Sequence, residues 1–246
     1  MEKLKANPSD QLQILDIQRM DFHLATLANR AASLPETLEL LGKNQRLTVV
    51  RDLQIAAQTQ ISDIKRELLR SEADVEQVVV RLQRDEKRLA DGATAAKELE
   101  KLQHEVKTLG GRLIELEEVE LEIMLRMESV KDRLDELKVE ESQLNEEIEG
   151  IERRKSEALA GIESEVALTM AERVATVAQV DGALVDLYEK VRAKNSGTGA
   201  AALREGRCDG CHLAINSVEL SRMKTLASDE VVRCEECRCI LVRGAK

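Results

Sequence analysis

Between residues 47 and 89, apolar side chains recur at alternating intervals of three and four. Leu47, Val50, Ala57, Ile61, Ile64, Leu68, Val75, Val78, Leu82 and Leu89 keep step, and Gln54, Ser71 and Asp85 stand in the same register as polar members. Such alternation lays a narrow stripe along a helix that packs against a second helix. The pattern restarts at Leu99 and continues through Leu102, Val106, Leu109, Leu113, Leu116, Ile123, Met127, Val130, Leu134, Leu137, Leu144 and Ile148 to Ile151, with Glu120 and Glu141 in register. Asp91, Gly92, Ala93 and Thr94 supply turn chemistry between the two runs, so the chain is expected to reverse at 91–96.

The ends follow from local signals. Pro8, Ser9 and Asp10 read as a helix start, with Leu12, Leu15, Phe22, Ala25 and Ala32 near one face. Pro35 disfavours a helical Leu34 and suits the first turn of a new helix, which predicts a kink there. The expected helices are about 10–33, 35–90 and 97–194. After Ile151 the register slips into a looser stripe of Leu159, Ile162, Val166, Met170, Val174, Val177, Leu184, Leu187 and Val191. At 1.5 Å per residue, residues 10–90 and 97–193 would span about 120 and 145 Å. Arms of similar length predict an antiparallel coiled-coil hairpin within one chain (residues 1–194) and a monomer, with a parallel dimer as the competing arrangement. Asn195 to Gly199 read as a short flexible joint, and residues 200–246 as a separate module.

Composition agrees with this mainly α reading. A chain of 246 residues with one Phe, one Tyr, no Trp, two prolines and 34% charged residues does not build a large aromatic-centred core. The net charge of −10 is unevenly spread: residues 1–199 hold 29 basic and 40 acidic side chains, and residues 200–246 hold 8 and 7. The helical part therefore repels phosphate backbones, and any nucleic-acid contact is left to the C-terminal module. The polar start and the lack of a long apolar run predict a cytoplasmic protein with no membrane insertion.

The candidate chemistry lies at the C-terminal end. Cys208 and Cys211 form one CxxC pair, Cys234 and Cys237 a second, and 22 residues intervene. That is the spacing of a four-thiolate site for one structural Zn²⁺, and in a reducing compartment such pairs favour metal over disulfides. Gly210 is expected to provide an unusual backbone angle in the first knuckle, which leaves the second, without a glycine, more strained. Val231, Val232 and Ile240–Val242 read as short ribbon strands. Cys208, Cys211 and His212 also match the CxxCH pattern of haem attachment, but that leaves the second pair without a role, and no βαβ pattern supports a redox CxxC. Cys239 reads as a spare thiol at the ribbon's edge, or else as an alternative ligand or redox-sensitive group. Arg207, Arg222, Lys224, Arg233 and Arg238 are candidate contacts to nucleic acid or another partner, although the module has no aromatic residue on which bases could stack. Four sulfurs close a site against catalytic water, and no nucleophile–base grouping appears, so an enzyme is not expected.

The layout resembles the bacterial C4-type zinc-ribbon proteins with an N-terminal coiled-coil hairpin. The resemblance rests on Leu34 and Pro35, on Lys97, Glu98, Leu99 and Glu105, on Tyr188, and above all on CDGCHLAI at 208–215 and CEECRCIL at 234–241. It places the four cysteines at the family's zinc positions. Arg238 and Cys239 stand where a Gly and an Arg commonly follow the last ligand, and Asn216 where a proline is frequent. By resemblance the protein is an adaptor or chaperone-like binder, with a sigma-54-type transcription factor, flagellar or type III export components, or RNA as the implied partner classes.

Overall fold

The computed structural model describes residues 4–91 and 96–244. Its helices are α1 (Pro8–Ala32), α2 (Pro35–Ala90), α3 (Ala96–Val177), α4 (Gly182–Lys194) and α5 (Ser217–Thr225). Its strands are β1 (Ala200–Arg204), β2 (Arg207–Cys208), β3 (Val232–Arg233) and β4 (Ile240–Val242). Two compact units result: Leu38–Glu152, and Met1–Thr37 together with Arg153–Lys246. Residues 92–95 of the expected hairpin tip lie outside the described residues.

In the first unit α2 and α3 run antiparallel. The residues they bury are those of the seam: Leu47, Val50, Ala57, Ile61 and Ile64 from α2, and Leu102, Leu116, Ile123, Leu134, Leu137, Leu144, Ile148 and Ile151 from α3. Each fully buried aliphatic contributes about 1.5–3 kcal/mol. Register is marked by pairs whose numbers fall on α3 as they rise on α2: Lys43 with Glu147, Arg51 with Glu141 at 2.8 Å, and Glu67 with Arg126 at 2.7 Å. Of the polar seam members Ser71 and Asp85 are buried, and Gln54, Glu120 and Glu141 are half-buried. Gln54 satisfies itself on the Leu137 carbonyl at 3.1 Å and the Glu141 carboxylate at 2.9 Å. Ser71 Oγ and Asp85 Oδ2 have no such partner and weaken the seam where they sit.

The second unit departs from the expected pattern in three places. α1 starts at Pro8 behind the Asn7 cap, as its sequence signals, but its buried face is Gln11, Ile14, Ile17, Asp21 and Leu27. Leu12 and Phe22 are exposed instead. The helix expected over 97–194 is two helices: residues 178–181 leave the α3 axis, and Asp181 caps α4 by accepting from Ala183 N at 3.0 Å and Leu184 N at 3.2 Å. Near that break Met170 and Val174 face solvent, while Thr169 and Arg173 turn inward.

Residues 195–199, expected as a flexible joint, are fastened to α1. Gln18 donates to the Gly197 carbonyl at 3.0 Å and accepts from Gly199 N at 2.6 Å and Ala200 N at 3.1 Å. Gly199 is required by close approach: a Cβ there would lie 2.5 Å from the Tyr188 ring and 2.9 Å from the Tyr188 carbonyl oxygen.

The ribbon is a four-stranded sheet in the order β2-β1-β4-β3, with β1 parallel to β4 and the other pairs antiparallel. The expected pairing of 231–232 with 240–242 corresponds to β3 and β4. Residues 4–6 extend the same structure, since Ala6 N donates to the Asp229 carbonyl at 2.8 Å and Val231 N to the Leu4 carbonyl at 3.1 Å. Arg243 gathers the loop after α5, its guanidinium donating to the carbonyls of Met223, Ala227 and Glu230 at 2.7–2.8 Å. Tyr188 and Leu184 of α4 pack with Ile14, Ile17, Ala200, Ile240 and Val242 into one core beneath the sheet.

Candidate metal centre

Both CxxC pairs fold as the same turn. In the first, Cys208 N donates to the Leu213 carbonyl at 3.1 Å and His212 N to the Cys208 carbonyl at 2.7 Å. In the second, Cys234 N donates to the Cys239 carbonyl at 2.9 Å and Arg238 N to the Cys234 carbonyl at 3.1 Å. Each turn closes with a left-handed residue just after its second cysteine, His212 at φ 59° and Arg238 at φ 63°. The unusual angle thus falls on these two residues and not on Gly210. That glycine serves close packing: a Cβ on it would sit 3.1 Å from Ala201 Cβ and 3.4 Å from Cys239 Sγ.

The turns bring the ligand sulfurs of Cys208, Cys211, Cys234 and Cys237 within 4.8 Å of one another. Cys208 and Cys237 are 3.8 Å apart, and Cys211 and Cys234 3.9 Å. A tetrahedron with Zn–S bonds of 2.3 Å has edges of about 3.8 Å, so these residues fit one Zn²⁺. The zinc is structural, held by four protein ligands with no position left for water. His212 is exposed beside the site.

Burial pushes the Cys234 thiol up to about 12. Cys237, although burial opposes its ionisation, is brought down to about 7 by the Cys239 backbone N–H and neighbouring thiols. A thiolate is the species a zinc ion binds.

Cys239 is not at an edge. It is fully buried, with its sulfur 3.2 Å from Cys237 Sγ and 3.5 Å from Cys208 Sγ. Alternation along the strand explains this, because Cys239 and Leu241 point into the same core cluster as Met223 and Val232.

The five candidate contact cations are all exposed but do not share one element. Arg207 begins β2, Arg222 and Lys224 lie on α5 two positions apart and so on different faces, and Arg233 and Arg238 flank the second knuckle. Arg222 is paired with Glu219, its Nε 2.7 Å from Oε2, and Arg233 Nε donates to the Arg238 carbonyl at 2.9 Å. Asn216 caps α5 by accepting from Val218 N at 2.9 Å.

Sequence reasoning missed a buried polar knot on the other side of the sheet. Asp21 accepts from Arg173 Nε at 2.7 Å and Nη2 at 3.1 Å, accepts from the Tyr188 hydroxyl at 2.7 Å, and lies 3.3 Å from Arg192 Nη1. Its one visible signal was that Tyr188 is the only tyrosine in the chain.

Comparison with known proteins agrees with this geometry. The family model described as a CT398-like coiled coil hairpin domain matches residues 17–196, and a C4-type zinc ribbon domain matches residues 207–241. The Mycobacterium tuberculosis protein Rv2229c is 32% identical over 98% of both chains. A solved Mycobacterium smegmatis structure superposes with a TM-score of 0.82 at 32% identity, covering 98% of this chain and 100% of that one. The structure of CT398 from Chlamydia trachomatis gives a TM-score of 0.65 at 21% identity over 96% and 98% of the two chains, a likeness of fold.

Proposed function

The chain belongs to the CT398-like coiled-coil hairpin family with a C4-type zinc ribbon, and we propose that it is a non-enzymatic cytoplasmic adaptor presenting its hairpin and ribbon to another protein. The observation that carries this reading is a second apolar stripe on α3. Ile114, Leu121 and Leu125 are 57–59% exposed and spaced by seven and four, which puts them on one face. Leu116 and Ile123 of the seam lie two positions further on, about 200° around the helix. A solvent-facing side of a helix normally carries charge, so a row of aliphatics there fits a surface that another protein covers.

Binding of RNA or DNA by the ribbon is the second reading. It rests on the exposed Arg207, Lys224 and Arg238. Against it, Arg222 and Arg233 are engaged within the ribbon, Arg204 faces Asp209 at 3.5 Å, and Arg243 is committed to backbone carbonyls.

Capture from native cells with the wild type and with the I114E/L121E/L125E variant tests the choice. The adaptor reading expects a protein partner, such as a sigma factor or an export component, that the wild type holds and the equally helical variant loses. Retardation of RNA or DNA at physiological salt, abolished by reversing the charges of Arg207, Lys224 and Arg238, would overturn it.

A further inference from the structure

We propose that Cys239 is a reserve zinc ligand, a fifth thiol placed to take over the coordination position of Cys237. Its sulfur sits over the Cys208–Cys237 edge of the tetrahedron, 3.2 Å from one corner and 3.5 Å from the other. Both of its short sulfur contacts are thus to corners of that one edge. Of the two corners it flanks, Cys208 is fully buried and Cys237 is partly exposed. Of this pair Cys237 is therefore the one open to a solvent-borne electrophile or oxidant, as the half-buried Cys211 is at the far edge, and Cys239 lies 3.2 Å from it.

The exchange balances without a co-reactant. The bond from zinc to the Cys237 sulfur breaks, the bond to the Cys239 sulfur forms, and the proton leaving Cys239 ends on the departing Cys237 thiolate. Four thiolates remain on the ion, the site keeps its net charge of −2, and no electron is transferred. Only the short span from 237 to 239 has to adjust, because Cys239 already closes the knuckle through its carbonyl bond from Cys234 N.

A cysteine that only fills the core makes different predictions. In Cys237→Ala, a reserve ligand keeps about one zinc per chain and the cobalt-substituted protein keeps a four-sulfur absorption spectrum. C237A/C239A should lose both, with an affinity drop beyond the roughly 10- to 100-fold that an outer-shell change costs. Cys211→Ala, whose position Cys239 does not reach, should behave like the double variant. A Cys237→Ala protein that loses zinc to the same extent as C237A/C239A and C211A overturns the proposal. A second measurement uses folded, zinc-loaded protein: in the fraction that peptide mass spectrometry shows alkylated by N-ethylmaleimide at Cys237 and not at Cys211, the wild type should retain its zinc and Cys239→Ala should release it. Equal release from both would also overturn the proposal.

Discussion

The hydroxyl of Tyr188 donates a 2.7 Å hydrogen bond to Oδ2 of Asp21, a residue 167 positions earlier in the chain. Through this contact and the paired bonds from Arg173, α1, α3 and α4 meet on one carboxylate that is only 5% exposed. A buried charge with partners of this kind is costly to strip of them.

Removing the Tyr188 hydroxyl should therefore cost about 1.5–3 kcal/mol, the range for a hydrogen bond to a charged group. Asp21→Ala, which leaves Arg173 partly buried without its main partner, should cost about 3–5 kcal/mol. The pair also sets an alkaline limit. Burial and the bond to Asp21 raise the Tyr188 hydroxyl above its ordinary value. Its stabilising contribution is thus complete below the unfolded value of about 10 and declines as pH rises above it. Denaturant unfolding followed against pH should show this decline in the wild type and not in Tyr188→Phe. Tyr188 is the sole tyrosine and there is no tryptophan, so its ionisation is read directly from ultraviolet absorbance.

Chelation of the zinc should unfold the ribbon and spare most helix. The sheet is short, β2 and β3 having two residues each, and without the ion the two knuckles lose the bonds that join them. Far-ultraviolet circular dichroism should change little while proteolysis opens the segment after residue 200. Acidification should release the metal by the same route, since each ligand must stay deprotonated.

Gly199→Ala should destabilise the second unit by at least the 1–3 kcal/mol typical of overpacking. The new methyl would press on the Tyr188 ring and on its carbonyl oxygen at 2.9 Å, and backbone cannot rotate aside as a side chain can. Thermal unfolding of the variant beside Gly197→Ala separates the effects, because around Gly197 there is open space and only its φ of +93° resists substitution.

Arg238→Gly should strengthen the second knuckle. The arginine holds φ 63° with an exposed side chain, and the left-handed region costs a residue with a Cβ about 1–2 kcal/mol. A lower zinc dissociation constant by competition with a chromophoric chelator is the expected result.

The hairpin seam was legible because knobs at three and four leave a periodic trace, and even Ser71 and Asp85 were placed on the buried side by register alone. The α1 face was not, since its inward positions include Gln11 and Asp21, whose partners come from residues 228 and 173. The break at 178–181 stayed hidden for another reason: Asp181 and Gly182 carry a cap and turn signal, but the apolar stripe runs on across them from Val177 to Leu184 and masks it. The four ligands were readable from spacing, but the place of Cys239 depends on strand alternation next to a turn whose left-handed residue is an arginine.

The pairing of residues 4–6 with 229–231 bears on how the molecule is made. Lys5 and Asp229, 224 positions apart, share a 3.2 Å ion pair at this junction. During synthesis the early segment has no strand to join until residues 229–231 have been made, and the sheet it completes needs β4 later still. A chain interrupted before that point can pair its long helices yet leaves Leu184, Tyr188 and Ile14 uncovered. The ribbon is thus the lid of the core that α1 and α4 share with it, and losing it exposes that core to solvent.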